Sequence, residues 1–287
     1  MFIFLMALYF IANTAARLLV RVFSKNTKLN PYAANLLLQI PTYTGMLIFG
    51  CATLQGSIFA SVTPLIMLLM VLLGLAQVYF NKVSLIAQKH VETAPYMVLR
   101  QVSVPVSVFL STVFLGESLN AKQIVGMFVI MSGTYLVASN GGKIKVKHFS
   151  RHELMTISYG VYLAFYSIII RYLQIETSLS TILVVGGLLE LIPSFVTTHK
   201  VSSKISLEKL NRREVLLACF IGLLSAMHIV TFWLAVNYAQ NVALVSSVSS
   251  LRIVTIFAGS YLLLKEKSNF KLKLAGTLIA LVGLLLI

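Results

Sequence analysis

The chain has 287 residues, 58% hydrophobic and 11% charged, with a formal net charge of +15. A soluble domain holds about 45–50% apolar and about 25% charged residues. At a mean hydropathy of +0.91, this chain has more apolar surface than a water-facing fold can bury, and it reads as an integral membrane protein.

Ten apolar segments follow one another along the chain: 3–22, 33–51, 62–81, 94–114, 121–139, 153–173, 181–198, 213–236, 243–264 and 272–287. Their lengths suit spanning helices, which need about 20 residues each. The period-2 alternation of barrel strands is missing, so the expected fold is all-α. The run from Met1 to Val20 is too long for a signal-peptide core and lacks a basic start; it is expected to be the first span. Pro31, Pro64 and Pro95 fall at or near helix starts, where a missing N–H costs little. Pro41, Pro105 and Pro193 fall inside spans and predict kinks. The polar stretches Ser139–His152 and His199–Arg213 are too short to be soluble domains.

The two ends of the chain echo each other. At an offset of 152, Ile40-Pro41 meets Ile192-Pro193, Ala87-Gln88 meets Ala239-Gln240, and Leu99-Arg100 meets Leu251-Arg252. Two or three residues out of that register, Glu117 meets Glu266, Gly126 meets Gly276 and Gly133 meets Gly283. The expected organisation is a duplicated five-helix unit: residues 1–139, a connecting loop at 140–152, and residues 153–287. Five is odd, so a second copy with the same fold enters the membrane from the opposite side. That arrangement is the inverted repeat of many secondary transporters, which bind solute near the midplane and expose it alternately to each side.

Charge sets the expected orientation. The loops after spans 1, 3, 5, 7 and 9, with their flanking helix ends, carry nineteen of the 23 Lys and Arg. The opposite side has only Lys122 and Arg171, while Arg100 and Arg252 fall within spans. The positive-inside rule makes the rich side cytoplasmic and places both termini on the other side. Basic residues scattered in this way also exclude nucleic-acid binding. The membrane is expected to be a bacterial inner membrane or an organelle membrane.

Phe114-Leu115-Gly116-Glu117-Ser118-Leu119, followed by Gly126 and Gly133, resembles the Leu-Gly-Glu turn and glycine-bearing helix that close each half of EamA-type proteins in the drug/metabolite transporter superfamily. Lys265-Glu266 with Gly276 and Gly283 resembles the same element, with Lys265 in place of the glycine and one extra residue. The resemblance implies a ten-helix transporter. Members of that superfamily commonly have cytoplasmic termini, opposite to the charge count. Arg100 and Arg252 also resemble the basic residues on the fourth and ninth helices of the triose-phosphate and organic-anion translocators in the same superfamily, which implies an anionic solute.

Candidate site residues come from polar positions within spans. An Arg in mid-membrane costs at least about 2.5–3.5 kcal/mol on insertion scales. Arg100 and Arg252 therefore read as a guanidinium pair gripping a phosphate or carboxylate, or as partners of acids, Glu92 for Arg100 and Glu190 for Arg252. Glu190 reads as that counter-charge or as a proton-coupling carboxylate. His228 reads as a relay or as a hydrogen bond to a neighbouring helix. Gln39, Gln77, Asn81 and Gln101 either line a cavity or bond between helices. Asn13 and Tyr166, with Tyr9 and Tyr162, sit on corresponding spans 1 and 6 as solute contacts or packing. Glu117 and Glu266 read as structural groups at helix starts, where a carboxylate suits the dipole, and Gly126 and Gly276 as close-packing positions.

All eight acids are Glu, which excludes EF-hand loops and any Asp-based triad. Cys51 and Cys219 make neither a disulfide framework nor a zinc cluster. P-loop, deaminase, nucleophile-elbow and zinc-helix signatures all fail in detail. The expectation is a non-enzyme without metal or cofactor, whose partners are a small-molecule solute and the bilayer, with a homodimer left open. The expected function is alternating-access transport of a small, preferably anionic metabolite. The alternatives are a proton-coupled exporter of neutral or zwitterionic metabolites, amino acids or drugs, and a non-transporting membrane scaffold.

Overall fold

The computed structural model describes residues 1–53, 62–115, 121–138, 150–202, 211–239, 245, 249, 252–265 and 269–286. Residues 140–149 of the connecting loop, Glu117 and Glu266 therefore lie outside the described residues, as does most of the start of span 9. The helices are α1 (Phe2–Asn26), α2 (Pro31–Thr53), α3 (Pro64–His90), α4 (Thr93–Arg100), α5 (Ser103–Leu115) and α6 (Ala121–Ala138) in the first half of the chain. In the second half they are α7 (Arg151–Glu176), α8 (Leu179–Ser202), α9 (Arg212–Ala239), α10 (Arg252–Leu262) and α11 (Phe270–Leu286). No strand occurs among the described residues.

Among the described residues, seven helical stretches are long and apolar enough to cross a membrane: Phe2–Asn26, Pro31–Thr53, Pro64–His90, Thr93–Phe114, Arg151–Glu176, Leu179–Val196 and Arg212–Ala235. Ile124–Leu136 and Arg252–Leu262 are shorter apolar helices. Large apolar side chains stand exposed in mid-helix, among them Ile48, Leu68, Phe128 and Phe220. Water would penalise that arrangement, whereas hydrocarbon accepts it.

Local chemistry sets the helix ends. Pro31 and Pro64 open α2 and α3, as the missing proline donor predicts. The Asn30 side chain accepts from Tyr32 N–H at 3.0 Å, and Thr63 Oγ1 accepts from Ile66 N–H at 3.3 Å. Ser150 and Glu153 form a reciprocal capping box at the start of α7, with Glu153 accepting from Ser150 N–H at 2.7 Å and Ser150 Oγ from Glu153 N–H at 3.3 Å. Ser178 caps α8 through Thr181 N–H, and Asn211 caps α9 through Arg213 N–H.

Proline acts unequally inside the spans. Pro41 and Pro193 sit within continuous helices. Span 4, by contrast, is interrupted between α4 and α5. Pro105 has no N–H to offer Gln101, four residues earlier, and its ring crowds that carbonyl. The Gln101 carbonyl instead accepts from Val104 N–H at 2.9 Å, and Gln101 N–H donates to Val98 at 2.9 Å. Tightened three-residue bonding therefore replaces a helical turn at Gln101-Val102.

The chain forms two compact units: residues 1–85 with 169–235, and residues 86–168 with 236–287. Each draws on both halves of the sequence. In the first unit α2 packs on α8. A Cβ at Gly50 would lie 2.7 Å from Val184 and 3.2 Å from the Ser180 carbonyl, while Gly187 faces Leu47 and the Tyr43 carbonyl. Numbering rises along α2 as it falls along α8, so the pair is antiparallel. An apolar cluster of Tyr43, Met46, Leu183, Ala226 and Val230 ties α9 to them.

In the second unit α6 packs on α11. A Cβ at Gly133 would lie 2.6 Å from the Gly276 carbonyl oxygen and from Ala280 N, and one at Gly283 would lie 2.7 Å from the Gly126 carbonyl oxygen. Only glycine permits backbones this close. This pair too is antiparallel. Val98, Ile130, Ile253, Ala280, Leu281 and Leu284 form the adjoining core, which includes α4 and α10.

Candidate functional site

Two polar clusters stand out, one in each unit. In the second unit Arg100 is the last residue of α4, immediately before the interruption. Its guanidinium carbon lies 5.3 Å from the centroid of the Tyr159 ring, a cation–π contact. Gly160 makes the approach feasible: a Cβ there would lie 2.8 Å from the Arg100 carbonyl oxygen. Tyr159, Tyr162 and Tyr166 form a stripe along α7, with successive ring centroids 6.3 and 6.0 Å apart. Gln101 is buried in the turn.

Arg252, at the start of the described part of α10, is half-buried. It adjoins Ile253, and Arg100 lies two residues beyond Val98; Ile253 and Val98 share the core cluster. The fold thus brings both arginines to packed segments of one unit, with Arg100 where α4 ends. Glu92, a sequence candidate for neutralising Arg100, forms an ion pair with Lys273 of α11.

In the first unit Glu190 on α8 is buried, 7% exposed. What acts on its carboxyl is that burial and a hydrogen bond from the Tyr43 hydroxyl of α2. His228 on α9 packs edge-on against Tyr9 of α1, with ring centroids 6.1 Å apart. Its Nδ1 lies 3.3 Å from the Leu224 carbonyl. Asn13, one turn beyond Tyr9, is 3% exposed, and its Oδ1 has no hydrogen-bond partner among the described residues.

The remaining candidates bond within their own helices. Gln39 donates to Asn35 at 3.3 Å and Gln77 to Asn81 at 3.0 Å. Gly126 and Gly276 lie in the α6–α11 contact. Sequence reading missed Tyr43 and Tyr159. The second had a usable signal, since 159, 162 and 166 follow the spacing of one helix face. The first had none, because nothing local ties Tyr43 to a residue on α8.

Fold and site together define an all-helical chain whose long apolar helices suit a multi-pass membrane protein, with charged groups held inside it. No family model matches the chain, and no curated protein matches it. Solved structures do, 24 chains among them. One, described only as "Crystal structure of protein", aligns over 96% of this chain and 98% of its own at 14% identity, with a TM-score of 0.57. At that identity the likeness concerns the fold alone, and it extends along nearly the whole chain.

Proposed function

We propose that this chain is a secondary transporter built from two inverted five-helix halves, and that it moves a small anionic metabolite by alternating access. The observation that carries the reading is the pairing of corresponding helices. The second and seventh spans pack antiparallel as α2 and α8, and the fifth and tenth as α6 and α11. Exchanging Gly126 with Gly276 and Gly133 with Gly283, their repeat counterparts, turns the Gly133–Gly276 contact into the Gly283–Gly126 contact. That exchange supports a two-fold axis perpendicular to the helices, of the kind an inverted duplication supplies.

The anionic preference rests on Arg100 and Arg252. Each is charged in a setting where charge is costly, Arg100 sits at the helix end before the interruption of its span, and guanidinium groups match phosphate and carboxylate in a bidentate manner. The experiment is uptake of labelled phosphorylated and carboxylated metabolites, and of inorganic phosphate, by purified protein in liposomes. A charge-assisted hydrogen bond is worth about 1.5–3 kcal/mol, so Arg100→Gln and Arg252→Gln should each weaken apparent affinity about 10- to 100-fold. Unchanged uptake in both variants would remove the clamp. A wild-type protein that takes up nothing from a broad panel of solutes would favour the scaffold reading.

A further inference from the structure

Of the eight acids, Glu190 is the one set deep inside an apolar span, and its repeat counterpart provides an internal comparison. At the offset of 152, Glu190 corresponds to Leu38, which is also buried, among Val20, Phe23, Ala34, Leu85, Ala218 and Ile221. Tyr43 corresponds to Phe195. The same helix pair therefore carries a hydrogen-bonded Tyr–Glu at one position and Phe and Leu at its equivalent. Packing of α2 on α8 does not call for a carboxyl group, so a polar group retained at Glu190 points to a task other than packing.

The surroundings specify the task. α2 presents the Tyr43 hydroxyl to Glu190. α3 packs through Gly74 against the backbone of Leu189 and Glu190. Beyond Gly74 it carries the neutral Gln77 and Asn81, bonded to each other, and then Lys82, whose ammonium donates to Tyr32 at 2.7 Å. α9, joined to α8 through Leu183, Ala226 and Val230, carries His228 between the last two of these, and Arg212, Arg213, Glu214, Cys219 and Tyr238 elsewhere along its length. Glu190 thus faces a hydroxyl donor, and the Lys82 ammonium is directed to Tyr32.

A neutral carboxyl is held in apolar surroundings at modest cost, and a carboxylate only against donors. Tyr43 supplies one donor, enough to hold the ionised form transiently. We propose that Glu190 is the proton carrier of the transport cycle, with Tyr43 as its positioning residue. The carboxyl O–H bond breaks, the proton passes to water on one side of the membrane, and the carboxylate accepts a hydrogen bond from Tyr43. A proton from water on the other side then re-forms the O–H bond. This inference rests on the transporter reading and adds the coupling ion to it.

Two measurements separate the inference from that reading. The first is infrared titration of the purified protein, which needs no solute. A protonated-carboxyl band should titrate separately from the exposed glutamates, vanish in Glu190→Gln, shift in Tyr43→Phe, and persist in Glu176→Gln at the exposed end of α7. A band that survives Glu190→Gln, or the lack of a separate band, overturns the proposal. Should Glu190→Gln fail to fold, the Tyr43→Phe shift decides. The second is uptake of labelled inorganic phosphate by proteoliposomes. A proton gradient should speed wild-type uptake about tenfold, and Glu190→Gln should keep phosphate–phosphate exchange while losing that response. Exchange without any gradient effect in the wild type overturns the proposal. If no phosphate moves at all, the anion clamp fails instead, and the infrared result still decides the role of Glu190.

Discussion

Lys265 occupies backbone that suits glycine, with φ of 54° between α10 and α11. A non-glycine residue in the left-handed region pays about 1–2 kcal/mol in Cβ crowding, and the resemblance to the Leu-Gly-Glu turn has glycine at this position. Lys265→Gly is therefore expected to stabilise the protein by about 1 kcal/mol, read as a rise in the thermal unfolding midpoint of the purified protein. Asn269, at φ 46°, is a residue type that tolerates this region, and the same change there should gain less. At Arg100 magnitudes again decide. Its cation–π contact with Tyr159 is worth about 0.5–2 kcal/mol, against an insertion cost of at least about 2.5–3.5 kcal/mol. The ring alone does not offset the charge. An anionic partner would cover the difference, which is why the clamp reading is preferred to a purely structural one.

Among the elements, the α6–α11 pair is a close backbone-to-backbone contact and the one most open to test. Adding a methyl at Gly133 or Gly283 would drive it into backbone atoms of the facing helix, 2.6–2.7 Å away, and backbone cannot step aside as a side chain can. Gly186 on α8 has nothing within 4 Å of the same added methyl. Gly133→Ala should therefore destabilise by about 1–3 kcal/mol through overpacking. Gly186→Ala should be neutral or stabilising by up to about 1 kcal/mol, from helix propensity. Thermal unfolding of the two variants side by side checks both, and equal midpoints would mean the close approach carries no stability. The long apolar helices were legible in the sequence because about 20 apolar residues is the length a bilayer-crossing helix needs. The seven-residue glycine spacing marked one face of each helix, but not the partner, since spacing carries no information about which helices meet. Pro105 told of the interruption beside Arg100, while Pro41 and Pro193 lie within unbroken helices. The difference is not local, and so not readable from proline alone.

At the scale of the whole molecule, neither compact unit is one half of the sequence; each combines segments from before and after the 139–152 loop. A repeat found by aligning the chain with itself identifies which segments correspond. It does not say that corresponding segments pack on each other, and that pairing emerges only in three dimensions. The sequence-predicted site residues divide in the same way, with Asn13, Gln39, Gln77, Asn81, Glu190 and His228 in one unit and Arg100, Gln101, Tyr166 and Arg252 in the other. If the halves are inverted copies, equivalent loops face opposite sides of the membrane, whatever the absolute orientation. Lys28, exposed between α1 and α2, and Ser178, exposed between α7 and α8, follow the first helix of each half. In a background with Cys51 and Cys219 replaced by Ser, Lys28→Cys and Ser178→Cys in right-side-out vesicles should react oppositely with a membrane-impermeant thiol reagent. One should be labelled in intact vesicles and the other only after permeabilisation. Under the positive-inside rule the one shielded in intact vesicles is Lys28→Cys, because the loop after the first span belongs to the basic side. Labelling of both from the same side would make the duplication parallel, and the two-fold axis inferred from the paired glycine helices would have to be abandoned along with alternating access between inverted halves.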